Sequence, residues 1–531
     1  MSQNGRPVVL IADKLAQSTV DALGDGVEVR WVDGPNRPEL LAAVGDADAL
    51  LVRSATTVDR EVLEAAKKLT IVGRAGVGLD NVDIAAATER GVMVANAPTS
   101  NIHSACEHAI SLLLSTARQI PAADATLRDG AWKRSSFQGV EIFGKTVGIV
   151  GFGHIGQLFA QRLAAFETTV IAYDPYANPA RAAQLGVELV ELDELMSRSD
   201  FVTIHLPKTK ETAGMFDAEL LAKAKKGQII INAARGGLVD EQALADAITS
   251  GHIRGAGFDV YASEPCTDSP LFGLKEVVVT PHLGASTVEA QDRAGTDVAD
   301  SVLKALAGEF VPDAVNVSGG RVGEEVALWL DLSRKLGLVA GELLDTAPVA
   351  LEVTARGELS TEKVDSLGLS AMRGLFSSMI DEQVTFVNAP RIAEERGVDV
   401  TVNTESEAVS HRSTVEVKAI ASDGATAAVV GTLAGLDRVE KIVRLKGRGL
   451  DMRAEGRNLF LHYTDQPGAL GKVGTHLGGE GINIVAAALS QDASGTGATL
   501  ILRVDAEVPE KIVEAISADL DATAFQVDFG V

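Results

Sequence analysis

Three polar side chains follow separate β-branched segments and could together support hydride transfer. Arg235 follows the segment IIINAA, Glu264 comes five residues after Asp259 at the end of GAGFDV, and His282 follows VVVTP. Because ligands bind at the carboxyl ends of parallel strands, we expect the three side chains to meet there. Oxidation of a secondary alcohol requires one group that exchanges the hydroxyl proton and another that fixes the oxygen. We predict that His282 is the acid and base, Glu264 its orienting partner, and Arg235 a carboxylate clamp and electrophile.

A glycine-rich sequence, GFGHIG at residues 151–156, lies between an apolar segment and a helical pattern. Gly151 would permit the tight turn, Gly153 would let a pyrophosphate approach the backbone, and Gly156 would let helix and strand pack closely. Asp174 ends the next apolar segment, 18 residues past Gly156, near the spacing expected for a carboxylate that hydrogen-bonds the adenosine ribose. That carboxylate would repel a 2'-phosphate, so we predict NAD rather than NADP as the cofactor.

The elements that position these residues come from two successive alternations of apolar segments and helical patterns. The first contains VVLIAD, VEVRWV, ALLVRS and TIVGRAGVG. The second contains TVGIVG, TTVIAYD, FVTIHLP, QIIINAA, GAGFDV and VVVTPH. Such alternation is typical of parallel sheets covered by helices on both faces, and it predicts two doubly wound α/β domains.

Long helices are expected on either side of the second alternation. One is predicted over residues 102–118, capped by Ser100 or Asn101 and closed by Pro121. The other is predicted over about residues 286–307, where apolar residues recur at helical spacing.

The regular alternation of apolar segments and helical patterns ends at about Val317. The segment SGGRVG, residues 318–323, is predicted to be a linker, and the chain up to about residue 456 mixes helices with alternating strands. The last 75 or so residues follow the order strand, helix, strand, strand, helix, strand. That order predicts a ferredoxin-like α+β unit after an α+β intervening domain.

Composition excludes several classes of function. The 73 acidic and 48 basic side chains give a formal net charge of -25, which disfavours nucleic acids and anionic membranes as partners. No segment approaches the roughly 18 apolar residues of a membrane span, and the apolar run near the N-terminus is too short for a signal peptide. Cys106 and Cys266 suit a reducing compartment. We therefore expect a cytoplasmic protein without a metal site.

The motifs GFGHIGQ, INAARGGLVDEQAL, GAGFDVYASEP, TPHLGAST and GRAGVGLDNVD resemble those of the D-isomer-specific 2-hydroxyacid dehydrogenases, over roughly residues 7–317. The resemblance implies a Rossmann-like NAD-binding domain, residues 102–284, inserted in a flavodoxin-like substrate-binding domain, residues 1–101 and 285–317. The substrate would lie in the cleft between them, with its carboxylate on backbone amides around Gly76 and Val77. The cofactor contacts that it implies are Val77, Gly151, Gly153, His154, Ile155, Gly156, Asp174, Pro207, Ala233, Ala234, Asp259, Gly284 and Ala285.

The two appended units resemble those of the long form of this family, with an intervening regulatory domain at residues 318–456 and an ACT domain at 457–531. This implies NAD-dependent oxidation of 3-phosphoglycerate to 3-phosphohydroxypyruvate, the first step of L-serine biosynthesis. It also implies feedback by L-serine between paired ACT domains, hence a homo-oligomer, either a dimer or, as we expect, a homotetramer. The implied effector residues are Tyr463, Asp465 and Asn483. The expected substrate residues are Arg53, Ser54, Arg74, Gly76 and, from a neighbouring subunit, Arg134.

A cationic patch precedes the ACT domain. Residues 438–457 contain seven Lys and Arg side chains but only three acidic ones. We predict a second, regulatory anion site at Lys441, Arg448 and Arg453. The alternative interpretation is a solvated strand pair with alternating cations.

Two other functions fit the same motifs. A glyoxylate or hydroxypyruvate reductase would use the same three side chains, but such enzymes usually end near residue 307. A corepressor of this fold would use NAD as a conformational ligand, and it would be expected to carry interaction tails in place of an amino-acid-sensing domain.

Overall fold

The first domain is built on a five-stranded parallel sheet. The computed structural model describes residues 5–317, 322–380, 384–408, 410–491 and 497–530. The strands are β1 (Val8–Ile11), β2 (Glu28–Trp31), β3 (Ala49–Val52), β4 (Ile71–Arg74) and β5 (Met93–Asn96), and the helices are α1 (Gln17–Leu23), α2 (Arg37–Ala43), α3 (Arg60–Ala65) and α4 (Ile84–Glu89). The strand order β2-β1-β3-β4-β5 is flavodoxin-like. Strands β1 and β3 are buried throughout because helices cover both faces of the sheet.

The second domain contains a seven-stranded parallel sheet. Its helices are α5 (Ile102–Arg118), α6 (Ile120–Arg128), α7 (His154–Ala164), α8 (Pro179–Gln184), α9 (Leu192–Arg198), α10 (Ala218–Ala222) and α11 (Glu241–Thr249), and its strands are β6 (Thr146–Val150), β7 (Thr169–Tyr173), β8 (Glu188–Leu189), β9 (Phe201–Ile204), β10 (Gln228–Asn232), β11 (Ile253–Phe258) and β12 (Val277–Val279). The order β12-β11-β10-β9-β6-β7-β8 reverses direction between β6 and β9, as in a Rossmann fold. Ligands bind at such a switch point, so the glycine-rich loop after β6 lies at the expected place.

The chain then returns to the first domain through α12 (Val288–Leu306), which packs on α1 and β4. The hydroxyl of Thr287 caps this helix by accepting a hydrogen bond from the amide of Ala290. Asn101 occupies the N-cap position of α5, as one of the two predicted alternatives, but its side chain accepts no capping hydrogen bond, and the Ser100 hydroxyl donates to the carbonyl of Ala97. Pro121 belongs to the first turn of α6, since α5 has already ended at a left-handed residue, Gln119.

The intervening part of the chain forms a six-stranded mixed sheet. Its helices are α13 (Glu324–Ala327), α14 (Leu330–Glu342), α15 (Asp365–Ser377) and α16 (Ala389–Arg396), and its strands are β13 (Pro348–Gly357), β14 (Asp399–Glu405), β15 (Ser413–Ala421), β16 (Thr426–Ala434), β17 (Val439–Leu445) and β18 (Arg448–Arg453). The order is β14-β13-β15-β16-β17-β18, with only the β13–β14 pair parallel. Helices α14 and α15 pack closely against each other. Residues 318–321 of the predicted linker lie outside the described residues.

The C-terminal unit consists of β19 (Arg457–Thr464), α17 (Ala469–Gly479), β20 (Ile484–Gln491), β21 (Gly497–Val504), α18 (Glu510–Leu520) and β22 (Thr523–Asp528). The antiparallel order β20-β21-β19-β22 is that of a ferredoxin-like sheet. The predicted fold class is therefore confirmed. Across the described residues, no helix is both long and apolar enough to cross a bilayer.

Candidate active site

The loop after β6 has the geometry of a phosphate-binding turn. Gly151 has a φ of +97°, and a Cβ on it would lie 2.6 Å from the carbonyl oxygen of His205. A Cβ on Gly156 would lie 2.2 Å from the carbonyl oxygen of Gly151, so both glycines are required by packing. A Cβ on Gly153 would meet nothing within 4 Å. The loop is therefore closed towards the protein and open at Gly153, in front of the amino end of α7, where a pyrophosphate fits.

Asp174 connects this loop to the end of β7. One carboxylate oxygen accepts a hydrogen bond from the amide of Phe152 at 2.8 Å, and the other accepts one from the amide of Tyr176 at 2.9 Å. The carboxylate is thus held at the rim of the glycine loop. This is the position from which a carboxylate hydrogen-bonds an adenosine ribose in Rossmann folds.

The other predicted cofactor residues surround the same edge of the sheet. His154 and Ile155 begin α7, Pro207 follows β9, and Ala233 and Ala234 follow β10. Asn232, the last residue of β10, fixes the loop after it by accepting a hydrogen bond from the Ala234 amide at 3.1 Å. These residues therefore follow the carboxyl ends of β6, β9 and β10, which are neighbours in the parallel sheet.

His282 and Glu264 form a direct pair. His282 Nδ1 lies 2.6 Å from Glu264 Oε2, and Glu264 Oε1 accepts a hydrogen bond from the amide of Tyr261 at 2.9 Å. His282 has a left-handed φ of +54°, and its ring is half-exposed. Among the described residues, Nε2 of His282 has no partner, so this nitrogen is available to a ligand.

Buried Asp259 holds the loop that carries His282. Its Oδ1 accepts hydrogen bonds from the Thr280 hydroxyl at 2.6 Å and the Leu283 amide at 2.7 Å, and its Oδ2 accepts one from the Gly284 amide at 2.8 Å. Burial alone would raise the pKa of Asp259, but hydrogen bonds from His108, Thr280 and the Leu283 amide outweigh it and hold that pKa below its ordinary value. The carboxylate is therefore ionised at neutral pH. Ala285 follows this loop directly.

The side chain of Arg235, which follows β10 of the second domain, extends to the first domain. Its Nη1 donates to the carbonyl of Ala234 at 2.7 Å, while Nη2 lies 3.1 Å from the position that a Cβ on Gly78 would occupy. A Cβ there would also lie 3.0 Å from a carboxylate oxygen of Asp80. The guanidinium thus crosses the cleft to the loop that contains Gly76 and Val77.

Two further arginines, Arg53 and Arg74, belong to the first domain and lie on its side of the cleft. Arg74 ends β4, and its Nε is buried without a hydrogen-bond partner among the described residues. Burial and the positive charges of Arg235 and Arg53 lower the pKa of Arg74 to about 10. Nη1 of Arg53 lies 3.5 Å from Oε1 of Gln291. The charges of Arg53 and Arg235 thus both act on the buried guanidinium of Arg74 at one cleft.

Two of the predicted substrate residues, Ser54 and Arg134, lie on the surface. Ser54 is exposed next to Arg53. Arg134 is exposed in a 3₁₀ turn, residues 134–136, between α6 and β6. No contact within the described part of the chain joins Arg134 to the arginine cluster.

The predicted effector residues differ in their surroundings. Tyr463 is only 4% exposed and belongs to the apolar core of the C-terminal unit. Burial and the nearby charge of Asp465 raise the pKa of the Tyr463 phenol. Asp465 accepts a hydrogen bond from the side chain of Gln491, and the side chain of Asn483 is exposed. Tyr463 therefore contributes to packing, whereas the other two residues are accessible to a ligand.

The cationic patch lies at the junction of two domains. Lys441 and Arg453 are opposite each other on β17 and β18, and each pairs with a nearby carboxylate. Nη1 of Arg448 lies 3.0 Å from the Thr499 hydroxyl and 3.2 Å from Nδ1 of His462. Arg448 therefore connects the mixed sheet to the C-terminal sheet.

No role was predicted for His108, or for Thr280 within the motif TPHLGAST, although both side chains contact Asp259. The available signal was a histidine four residues after Ser104 and four before Leu112, on the buried face of α5. A lone histidine carries little information until the strand that it faces is known.

Comparison with known proteins agrees with this geometry. Residues 110–284 match the model of the D-isomer specific 2-hydroxyacid dehydrogenase NAD binding domain, residues 325–446 that of the D-3-phosphoglycerate dehydrogenase intervening domain, and residues 457–521 that of the ACT domain. The fold and the site thus define an NAD-dependent dehydrogenase of the D-isomer specific 2-hydroxyacid class. The predicted enzyme class and cofactor are confirmed.

Relatives that match nearly the whole chain show which family of dehydrogenases it belongs to. The D-3-phosphoglycerate dehydrogenase of Mycobacterium tuberculosis is 67% identical over 521 residues, which cover 98% of this chain and 99% of the relative. That of Methanocaldococcus jannaschii is 39% identical over 512 residues, covering 96% and 97% of the two chains. The chain belongs to the D-3-phosphoglycerate dehydrogenase family.

A solved structure resembles the two α/β domains. The TT0316 protein of Thermus thermophilus superposes with a TM-score of 0.54 at 34% identity, over 58% of this chain and 99% of the other. The catalytic unit is therefore shared with shorter proteins, whereas the mixed sheet and the C-terminal unit are additions.

Proposed function

We propose that this chain oxidises 3-phospho-D-glycerate to 3-phosphohydroxypyruvate with NAD, the first step of L-serine biosynthesis. The observation that carries the proposal is the cluster of Arg53, Arg74 and Arg235 at the cleft. A substrate with a carboxylate at one end and a phosphate at the other neutralises several cations at once. The family membership of the chain supports the same substrate.

The proposed chemistry assigns one task to each side chain. NAD bound at the glycine loop would supply the acceptor for the hydride that leaves the substrate carbon. His282 accepts the hydroxyl proton at Nε2, and the Glu264 carboxylate on Nδ1 stabilises the resulting imidazolium. Arg235 binds the substrate carboxylate and polarises the oxygen that becomes a carbonyl.

The substrate phosphate is proposed to bind to the first domain. Arg53 and Arg74 would bind it, with Ser54 beside them and Arg134 supplied by a neighbouring subunit. Backbone amides at Gly76 and Val77 would receive the carboxylate. The remaining cofactor contacts are proposed at His154, Ile155, Pro207, Ala233, Ala234, Asp259, Gly284 and Ala285, with Gly151, Gly153, Gly156 and Asp174 at the pyrophosphate and ribose.

Regulation is proposed to use the two appended domains, with the domain boundaries given above. L-serine would bind between paired C-terminal units at Asp465 and Asn483, near Tyr463. A second anion site would form at Lys441, Arg448 and Arg453, where two domains meet. The active form would be a homotetramer in the cytoplasm.

Turnover tests the proposal directly. Reduction of NAD should be rapid with 3-phosphoglycerate, slow with D-glycerate, and inhibited by L-serine. Equal turnover of both substrates without a serine response would favour a glyoxylate or hydroxypyruvate reductase. Tight NAD binding with no turnover of any 2-hydroxy acid would favour a corepressor. Regulatory phosphate dependence that survives Lys441→Ala with Arg448→Ala would remove the second anion site.

A further inference from the structure

His108 makes a contact that the proposed chemistry does not use. It lies on α5, the helix that leads from β5 into the NAD-binding domain, and its side chain is only 18% exposed. Its Nε2 lies 3.1 Å from Oδ1 of Asp259 and 3.1 Å from the hydroxyl oxygen of Thr280. One turn earlier, the Ser104 hydroxyl lies 2.8 Å from that of Thr287, at the start of α12. This face of α5 is thus attached to both ends of the loop that carries His282.

The hydrogen-bond pattern fixes which nitrogen of His108 carries the proton. The Thr280 hydroxyl donates its own proton to Asp259 Oδ1 at 2.6 Å. Both oxygens near Nε2 therefore offer only lone pairs, so Nε2 must be the donor. His108 Nε2 therefore donates a hydrogen bond that is shared between the buried Asp259 carboxylate and the Thr280 hydroxyl oxygen.

His108 is one of three donors to one oxygen of Asp259, and the other oxygen holds the amide of Gly284. Oδ1 receives His108, Thr280 and the amide of Leu283, whereas Oδ2 receives only the amide of Gly284. The Asp259 side chain is 0% exposed, so in this structure its oxygens face the loop amides of Leu283 and Gly284 rather than open space. Since Asp259 is fully buried, loss of a donor would leave part of its charge uncompensated.

We infer that His108 is a positioning residue that orients the Asp259 carboxylate, which in turn holds the amides of Leu283 and Gly284 and so fixes the His282 loop, against which the nicotinamide of bound NAD would lie. The inference rests on the proposed function, which places Asp259 at the cofactor. His108 touches neither substrate nor cofactor. Its effect is transmitted through a single carboxylate.

The test compares ligands with and without nicotinamide. His108→Leu should weaken NAD binding and lower kcat by about 10- to 100-fold each, the range expected for a lost hydrogen bond to a buried charge. ADP-ribose, which lacks the nicotinamide, should bind with unchanged affinity. His108→Gln should recover most of the loss, because its amide can donate at the same place. His411→Gln, at an exposed histidine, is the control.

Several results would overturn the inference. These are an unchanged NAD affinity in His108→Leu, equal losses for NAD and ADP-ribose, or a Gln variant no better than the Leu variant. If His108→Leu does not fold, Thr280→Val removes the other side-chain donor to Oδ1 and should show the same selectivity. The comparison of NAD and ADP-ribose binding can be made even if the wild-type protein does not oxidise 3-phosphoglycerate. Failure of the proposed function is therefore distinguishable from failure of this inference.

Discussion

His282 Nδ1 lies 2.6 Å from Glu264 Oε2, and the other carboxylate oxygen of Glu264 is held by the amide of Tyr261. The carboxylate is therefore fixed before any ligand binds, and it sets the direction of the imidazole. Such pre-organisation lowers the cost of creating an imidazolium during proton transfer.

Glu264→Gln should keep this geometry but remove the negative charge. We expect kcat for 3-phosphoglycerate to fall by about 10- to 1000-fold, because the imidazolium loses its counter-charge, while KM changes much less. Steady-state kinetics measure both parameters. Glu191→Gln, at an exposed glutamate without a side-chain cap, should match wild type. A fall in kcat of less than twofold for Glu264→Gln would show that the pair is only structural.

Arg53→Ala tests the phosphate assignment. The KM for 3-phosphoglycerate should rise by about 10- to 100-fold, because a hydrogen bond to a charged group is lost, whereas the KM for D-glycerate should change little. Arg90→Ala, at an exposed arginine of the same domain, is the matched control. Equal increases for both substrates would remove Arg53 from the phosphate site.

Gly153→Val separates cofactor binding from folding. A side chain at this position meets open space, and the backbone φ of -73° is allowed for any residue. Melting temperature without ligand should therefore stay close to that of wild type. Calorimetric titration should show NAD binding weakened by more than about 100-fold, because the side chain occupies the approach of the pyrophosphate. Gly156→Ala should instead destabilise the fold, since its Cβ would lie 2.2 Å from a carbonyl oxygen. Unchanged NAD affinity in the Val variant would contradict the assignment of the loop.

Arg74→Met should stabilise the free protein while impairing the enzyme. Burial and two neighbouring cations lower the pKa of Arg74 to about 10, so its charge is unfavourable in the absence of an anion. We expect the free energy of unfolding to rise by about 1 kcal/mol, after allowing for solvent screening, and the KM for 3-phosphoglycerate to rise. Denaturant unfolding without phosphate measures the first effect. A less stable variant with normal KM would show that Arg74 is not held for an anion.

The sequence alone was sufficient to propose the strand-end residues, because each lies in a short motif next to an apolar segment. Arg235, Glu264 and His282 are of this kind, as is the glycine loop. His108 could not be found in this way, since its partner Asp259 is brought to it only by the packing of α5 on the sheet. Thr280 does lie in such a motif, but its role depends on Asp259, which ends the neighbouring strand. The sequence placed Asn101 at the start of α5 but could not show that its side chain makes no capping hydrogen bond. Likewise, spacing alone did not show that Tyr463 is buried.

A single-turnover experiment on His282→Gln tests the central claim most directly. With NAD and 3-phosphoglycerate both saturating, the rate of NADH formation should fall by about 100- to 10,000-fold, the contribution expected of a general base, while both ligands still bind. NADH formation within tenfold of the wild-type rate would contradict the account, because another group would then have to accept the hydroxyl proton.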